Sequence, residues 1–243
     1  MFTHHTASRK NQAEKIHMIV TDFLKHNELS HMNCLEVGCG KGEISAYFSE
    51  LVKNIWGIDI NKKIIMKSQI NQGNLGFSQA NGTNLPFESS FFDLVLFPQV
   101  YEHTLNQQLI INEIHRVLRP GGICFFSGPN RFRIIESHYF LPFLSWLPHK
   151  LASLYLRIMG KGEVFDIYPR NYWYINKLMK GFTKHDYTYK MIKDPEYYKI
   201  KNRFGPWKFN VLPTFIVKGL EPLFPNYNWI LQKENEKYSH SPF

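Results

Sequence analysis

The run Glu36-Val37-Gly38-Cys39-Gly40-Lys41-Gly42 constrains this chain more than any other stretch. It closes a short apolar strand at residues 34–37 and leads into Ile44, Tyr47, Phe48, Leu51 and Val52, which are spaced as one helix face. A strand that turns through three glycines into a helix opens a βα unit. The bare turn also lets a ligand lie directly on the backbone. Amides at the start of the following helix favour an anionic group such as a carboxylate. Glu36, at the strand's end, can accept a hydrogen bond from an ammonium.

The rest of the first 130 residues keeps the same rhythm. Ile16, Val20, Phe23 and Leu24 mark a helix over 9–28, ahead of the first strand. Further strands are expected at 55–59, 75–79, 92–97 and 123–127. Helices are expected at 61–72 and around Ile110, Ile114, Val117 and Leu118, the latter stopped by Pro120-Gly121-Gly122. Strands alternating with helices imply a parallel sheet covered on both faces, with its ligand outside the carboxyl ends of the strands. Asp59 closes the second strand, where an acidic side chain can grip two ribose hydroxyls. The glycine spacing argues against a dinucleotide, because the third glycine of G-x-G-x-x-G would fall on Glu43. No Gly-Lys-Ser/Thr follows, so a P-loop is absent as well.

Taken in order, LEVGCGKG, GIDI, ANGTNLPF, FDLVLF and HRVLRPGG resemble the class I S-adenosylmethionine-dependent methyltransferases of the broad type 11 group, over residues 33–128. The resemblance implies a Rossmann-like, doubly wound α/β fold: a mostly parallel seven-stranded sheet, an antiparallel final hairpin and a helical insertion after strand five. It divides a single domain, 1–243, into an N-terminal helix (9–30), a cofactor core (33–128), an acceptor lid (131–178) and closing strands (182–233). S-adenosylmethionine is the implied cofactor. Glu36, Gly38, Gly40 and Gly42 would line its methionine part, Asp59 its ribose, and Ile60, Asn81 and Gly82 its adenine. Many members carry Asp at position 81, and the Asn81 oxygen can still accept the adenine amino bond. Residues 97–101 after strand four, Gln99 among them, would face the sulfonium.

Methyl transfer from a sulfonium is an in-line displacement that needs alignment and exclusion of water. A general base helps where the acceptor is a hydroxyl. His103, just beyond strand four, is the candidate. The same stretch resembles the ubiquinone-pathway O-methyltransferases, where E-x-x-E-H holds a divalent metal. Here Glu102 and His103 remain but Gln99 stands at the first Glu, so no metal is expected. Phe97-Pro98-Gln99-Val100 also lacks the Pro-Pro-aromatic segment of nucleobase amino methyltransferases. Cys34, Cys39 and Cys124 read as buried small apolar residues.

Charge and aromatic content separate this core from the C-terminal 113 residues. Of a net charge of +9, residues 1–130 carry none, with 11 Lys+Arg against 11 Asp+Glu; residues 131–243 carry 18 against 9. Residues 139–148 are apolar and aromatic, and Leu151, Leu154, Tyr155 and Ile158 continue at helical spacing beside Lys150, Arg157 and Lys161. The expected acceptor is small or lipid-like and methylated at oxygen, with Tyr101, His138, Tyr139 and Tyr168 contacting it. An anionic membrane edge is the expected partner. Scattered charge and the lack of an RNA-binding signature disfavour nucleic acid; an RNA-directed enzyme and a cofactor-binding protein without transfer are the alternatives. The polar N-terminus has no secretory pattern and no run is apolar enough to span a bilayer, so a cytosolic location is expected, peripheral to the membrane. Hairpin strands are assigned to 182–192 and 227–233, with a helix over 212–223.

Overall fold

The computed structural model describes residues 2–25, 28–65, 73–199 and 211–235. Five parallel strands form most of its sheet: β1 (Asn33–Val37), β2 (Asn54–Asp59), β3 (Leu75–Gln79), β4 (Phe92–Pro98) and β5 (Leu118–Pro129). The last two strands are β6 (Phe182–Asp186) and β7 (Asn226–Lys233), with β7 antiparallel to both β5 and β6. The sheet order is β3-β2-β1-β4-β5-β7-β6. Strand order reverses between β1 and β4, which opens a crevice at their carboxyl ends.

Alternation along the strands builds two cores. On one face Val95, Phe97, Cys124, Phe126, Tyr227 and Trp229 pack under α4 (Gln107–Val117) and α6 (Tyr172–Leu178). On the other, Leu94, Leu96, Ile123, Phe125 and Ile230 pack under α1 (Phe2–Leu24), α2 (Glu43–Ser49) and α7 (Thr188–Lys193). Phe92 and Val95 share a face although three residues apart, because the β4–β5 register shifts between Phe92 and Leu94. A bulge resets side-chain alternation in this way.

The insertion between β5 and β6 has a core of its own. Leu141, Leu144, Leu156, Phe165 and Ile167 surround Ala152 of α5 (His149–Ile158). Polar pins fasten it to the sheet. Arg170 Nε donates to Gln107 Oε1 of α4, which packs on the sheet, at 2.9 Å; where the insertion leaves β5, buried Asn130 donates to Pro222 O and Phe224 O ahead of β7.

Several expected boundaries move. The N-terminal helix starts at Phe2 and stops at Leu24, short of residue 30. β5 begins at Leu118, because Pro120-Gly121-Gly122 continues the strand instead of only ending the helix. The strand expected over 182–192 stops at Asp186, whose carboxylate accepts the Thr188 N–H at 2.6 Å and turns the chain into α7. The helix expected over 212–223 is α8 (Thr214–Gly219) followed by a 3-10 turn, Glu221–Leu223, since Pro213 and Pro222 supply no amide to a longer ladder. The helix expected over 61–72 is seen as α3 (Lys62–Ile65), and 66–72 lie outside the described residues.

Candidate functional site

The glycine turn leaves β1 at the crevice. Gly38, Gly40 and Gly42 all hold positive φ (75°, 55° and 79°), a region that side chains seldom enter. They differ in surroundings. A Cβ on Gly38 would strike Val100, and one on Gly42 would strike the ring of Phe77. A Cβ on Gly40 would meet nothing within 4 Å. Gly38 and Gly42 are therefore fixed by packing, whereas Gly40 presents bare backbone to open space.

Acidic groups flank that space. Asp59 Oδ2 accepts the Gly40 N–H at 3.0 Å and Oδ1 accepts the Asn61 N–H at 2.8 Å, which ties the end of β2 to the turn. Each oxygen keeps a further lone pair for a hydroxyl. Ile60, 67% exposed, stands beside it. Glu36 is buried and accepts the Ser45 hydroxyl, and burial pushes its carboxyl up to about 7. Asn81 forms an Asx turn in which Oδ1 accepts from Thr83 N and Oγ1 at 3.0 and 2.9 Å. That oxygen is thus engaged locally, and the amide nitrogen is the group left for a base. A Cβ on Gly82 would press on Val37 at 3.3 Å and on Ile110 at 3.5 Å.

Gln99 leaves β4 at φ 56°, held by its N–H to Ser127 O at 2.7 Å. Phe97, in contrast, is buried in the core. Tyr101 is only 2% exposed; its hydroxyl donates to Pro129 O and accepts the Arg170 N–H. These bonds bury Tyr101, the residue expected to meet the acceptor, between the end of β5 and Arg170.

Next to Tyr101 the insertion meets the core. His103 and His138 pack edge to face with ring centroids 5.1 Å apart. His138 Nδ1 lies 2.8 Å from Glu136 Oε1. Burial opposes the charge on Glu136, but His138 and the N–H groups of His138 and Tyr139 outweigh it and hold this carboxyl below its ordinary range. The bond to Glu136 in turn raises His138. His103 is lowered, first by burial and then by its histidine neighbour. Glu102 is fully buried, and burial pushes it up to about 7. Ligand atoms of Glu102, His103 and His138 lie within 4.8 Å of one another, a spacing open to a metal ion.

Tyr139 reaches Asp166 Oδ1 at 2.9 Å through its hydroxyl. The Tyr168 ring stacks on His149 at 4.6 Å while its N–H donates to Glu102 O. The structure brings His103 against His138, while the side chains of Tyr139 and Tyr168 turn to Asp166 and His149. All three cysteines are buried. Sequence reasoning missed Ser45 as the partner of Glu36, Phe77 as the stop behind Gly42, and Glu136 as the orienting group of His138. Only the last had a signal, an acidic residue two positions before the histidine.

Residues 35–126 match the family model described as a methyltransferase domain. The chain is 30% identical over 115 residues to a probable S-adenosylmethionine-dependent methyltransferase of Mycolicibacterium smegmatis, covering 47% of this chain and 44% of that protein. It is 30% identical over 155 residues to a ubiquinone biosynthesis O-methyltransferase of Rickettsia typhi, covering 59% and 61%. It thus spans less than two thirds of the length of either curated relative. Among solved structures, an S-adenosylmethionine-dependent methyltransferase from Mesorhizobium loti superposes with a TM-score of 0.55 at 14% identity, covering 85% of this chain and 93% of that one. A likeness at that identity is one of fold.

Proposed function

Taking as premise that residues 35–126 are a methyltransferase domain of the class I, S-adenosylmethionine-dependent kind, we propose that this chain methylates a small or lipid-like acceptor at oxygen. The observation that carries the reading is Gly40: a left-handed, unshielded backbone position between buried Glu36 and the carboxylate of Asp59. A compact zwitterionic nucleoside fits this set. Glu36 is suited to its ammonium, Asp59 to its ribose hydroxyls, and Ile60, Asn81 and Gly82 to its base. When bound, the cofactor supplies an activated methyl group.

The chain's own residues do the rest. Gln99, fixed at the end of β4, borders the donor side. His103 stands on the acceptor side, where burial and then the neighbouring His138 lower its basicity and favour the neutral ring. A neutral imidazole has a lone pair to offer a proton or a cation. His138, Tyr139 and Tyr168, carried by the insertion, shape the acceptor's place and help exclude water. The Rickettsia typhi relative is named for O-methylation in ubiquinone biosynthesis, a chemistry of the proposed class.

The insertion's outer face supports delivery from a membrane surface. Leu151, Leu154 and Ile158 form an exposed stripe on α5, flanked by Lys150, Arg157 and Lys161. Phe140 and Phe143 are exposed as well, both at positive φ. Apolar groups set among cations suit an anionic interface. Among the described residues no helix is long and apolar enough to cross a membrane.

The test is incubation with methyl-labelled cofactor and separate lipid, quinone, glycan and RNA fractions. Label is expected in the lipid or quinone fraction. Label confined to RNA would replace this reading with a nucleic-acid methyltransferase, and no label in any fraction would favour a cofactor-binding protein without transfer.

A further inference from the structure

The carboxyl end of β6 borders a cavity of about 310 Å³, lined by none of the residues proposed for methyl transfer. It lies between α7, α8 and the last turn of α1. Three strands, β4, β5 and β7, separate β6 from β1, so the cavity stands apart from the glycine turn. Three lysines line it, and each is laid over an aromatic ring. Lys184 Nζ is 4.5 Å from the ring centroid of Trp229 and 4.6 Å from that of Tyr172. Lys190 Nζ is 4.1 Å from Tyr187, and Lys218 Nζ is 4.6 Å from Tyr189. A lysine held over a ring gives up less side-chain freedom on meeting an anion than one loose in water.

The acids nearby do not cancel these charges. Both oxygens of Asp186 turn into the wall, accepting the Thr188 N–H at 2.6 Å and the Trp229 Nε1–H at 2.7 Å. Burial, and then the neighbouring Glu221, raise its carboxyl, so it carries less than a full charge. Glu221 accepts the Tyr172 hydroxyl at 2.6 Å and lies 3.7 Å from Lys184. Asp22 takes one bond from Lys190 at 3.0 Å, which leaves that ammonium two further donors. Lys218 has no carboxylate partner among the described residues. Nε2 of His185, a buried ring atom of the same lining, has no hydrogen-bond partner among them either. A buried polar atom left unpaired points to a bound molecule beside it.

We propose that this cavity binds a phosphate-bearing ligand, with Lys218, Lys190 and His185 on the phosphate and the rings of Phe23 and Tyr189 against the group that carries it. A phosphate offers three acceptor oxygens and up to two charges, which suits several separate donors better than the two oxygens of a carboxylate. The volume falls at the lower end of small-molecule sites, about 300–1,000 Å³, and leaves room beyond the phosphate for an organic group. A soluble phosphate ester and a lipid headgroup share this chemistry. The site does not depend on the methyl-transfer reading.

The test is calorimetric titration of the full chain with phenyl phosphate and with inorganic phosphate, beside cosedimentation with phosphatidylcholine vesicles with and without phosphatidic acid. Saturable binding of phenyl phosphate, tighter than that of inorganic phosphate, identifies a soluble ester as the source. Binding to the phosphatidic acid vesicles in its place identifies a lipid headgroup. In either case Lys218→Gln should weaken binding at least about tenfold, the worth of a lost charge-assisted bond, and Lys218→Arg should retain it. Lys218 is exposed, so neither change should move the melting curve. Lys53→Gln, at an exposed lysine ahead of β2, should leave binding unchanged. Saturating S-adenosylmethionine should not displace the phosphate probe. No Lys218-dependent binding of any of these probes, or displacement of phenyl phosphate by S-adenosylmethionine, would overturn the proposal.

Discussion

Residues 33–128 and the insertion between β5 and β6 are built by different means. The first carries a net charge of −1, with 7 Lys+Arg against 8 Asp+Glu, and its contribution is mostly backbone: three left-handed glycines, strand ends and amides turned toward Asp59. The second lies in the part of the chain that carries all the excess positive charge, and its contribution is side chains: Glu136, His138, Tyr139 and the exposed aromatics. A backbone cradle admits few sequences, so it fixes one ligand. A side-chain surface on a separate small core can be rebuilt without disturbing the sheet. On the proposed function, donor and acceptor specificity would be carried by separable parts, joined through Arg170, Gln107 and Tyr101.

The sharpest way to break this division is at Gly40. Gly40→Leu should weaken S-adenosylmethionine binding at least about 100-fold, roughly 2.7 kcal/mol, and alter the melting temperature little beyond the ~1–2 kcal/mol of a left-handed side chain. Gly38→Leu and Gly42→Leu should instead unfold the turn, since their side chains meet Val100 and Phe77. Calorimetry and thermal melts separate the two outcomes. Next in size, His103→Ala should lower turnover by about 10²–10⁴ while the cofactor dissociation constant stays unchanged. If cofactor affinity fell in parallel, the two sides would not be separable.

A smaller effect should come from the outer face of α5. Leu151→Glu with Leu154→Glu should reduce cosedimentation with anionic vesicles about tenfold, ~1.4 kcal/mol, and leave neutral vesicles and cofactor binding unaffected. The smallest is a pH effect at Glu36. With its carboxyl raised to about 7, the folded state keeps a proton that the unfolded chain loses near 4.5. Its contribution to stability is therefore highest below about 4.5 and declines as pH rises to about 7. Cofactor binding runs the other way, because only the carboxylate attracts an ammonium. Affinity should rise with pH through about 7, and Glu36→Gln should flatten both curves.

The two sides also differ in how legible they are in the sequence. Gly38, Gly40, Gly42 and Asp59 sit in local patterns, a strand, a turn and the end of the next strand, so spacing alone places them. Asn81 falls where expected after β3, but its use of Oδ1 for Thr83 depends on a turn that composition does not reveal. On the acceptor side His103 and His138 meet only because the insertion folds on its own core and is pinned by Tyr168 N–H to Glu102 O. No periodicity reports a contact between residues so far apart in sequence. Tyr101 shows the converse: a tyrosine beside the site by sequence is, by burial, part of the packing between the end of β5 and Arg170.

The central claim is that the glycine turn and Asp59 hold S-adenosylmethionine and not a dinucleotide. Calorimetric titration of the full chain with S-adenosylmethionine and, separately, with NAD tests it most directly. Saturable binding of S-adenosylmethionine that is lost in Asp59→Ala, with no heat from NAD, is the predicted result. Saturable binding of NAD alone would contradict it.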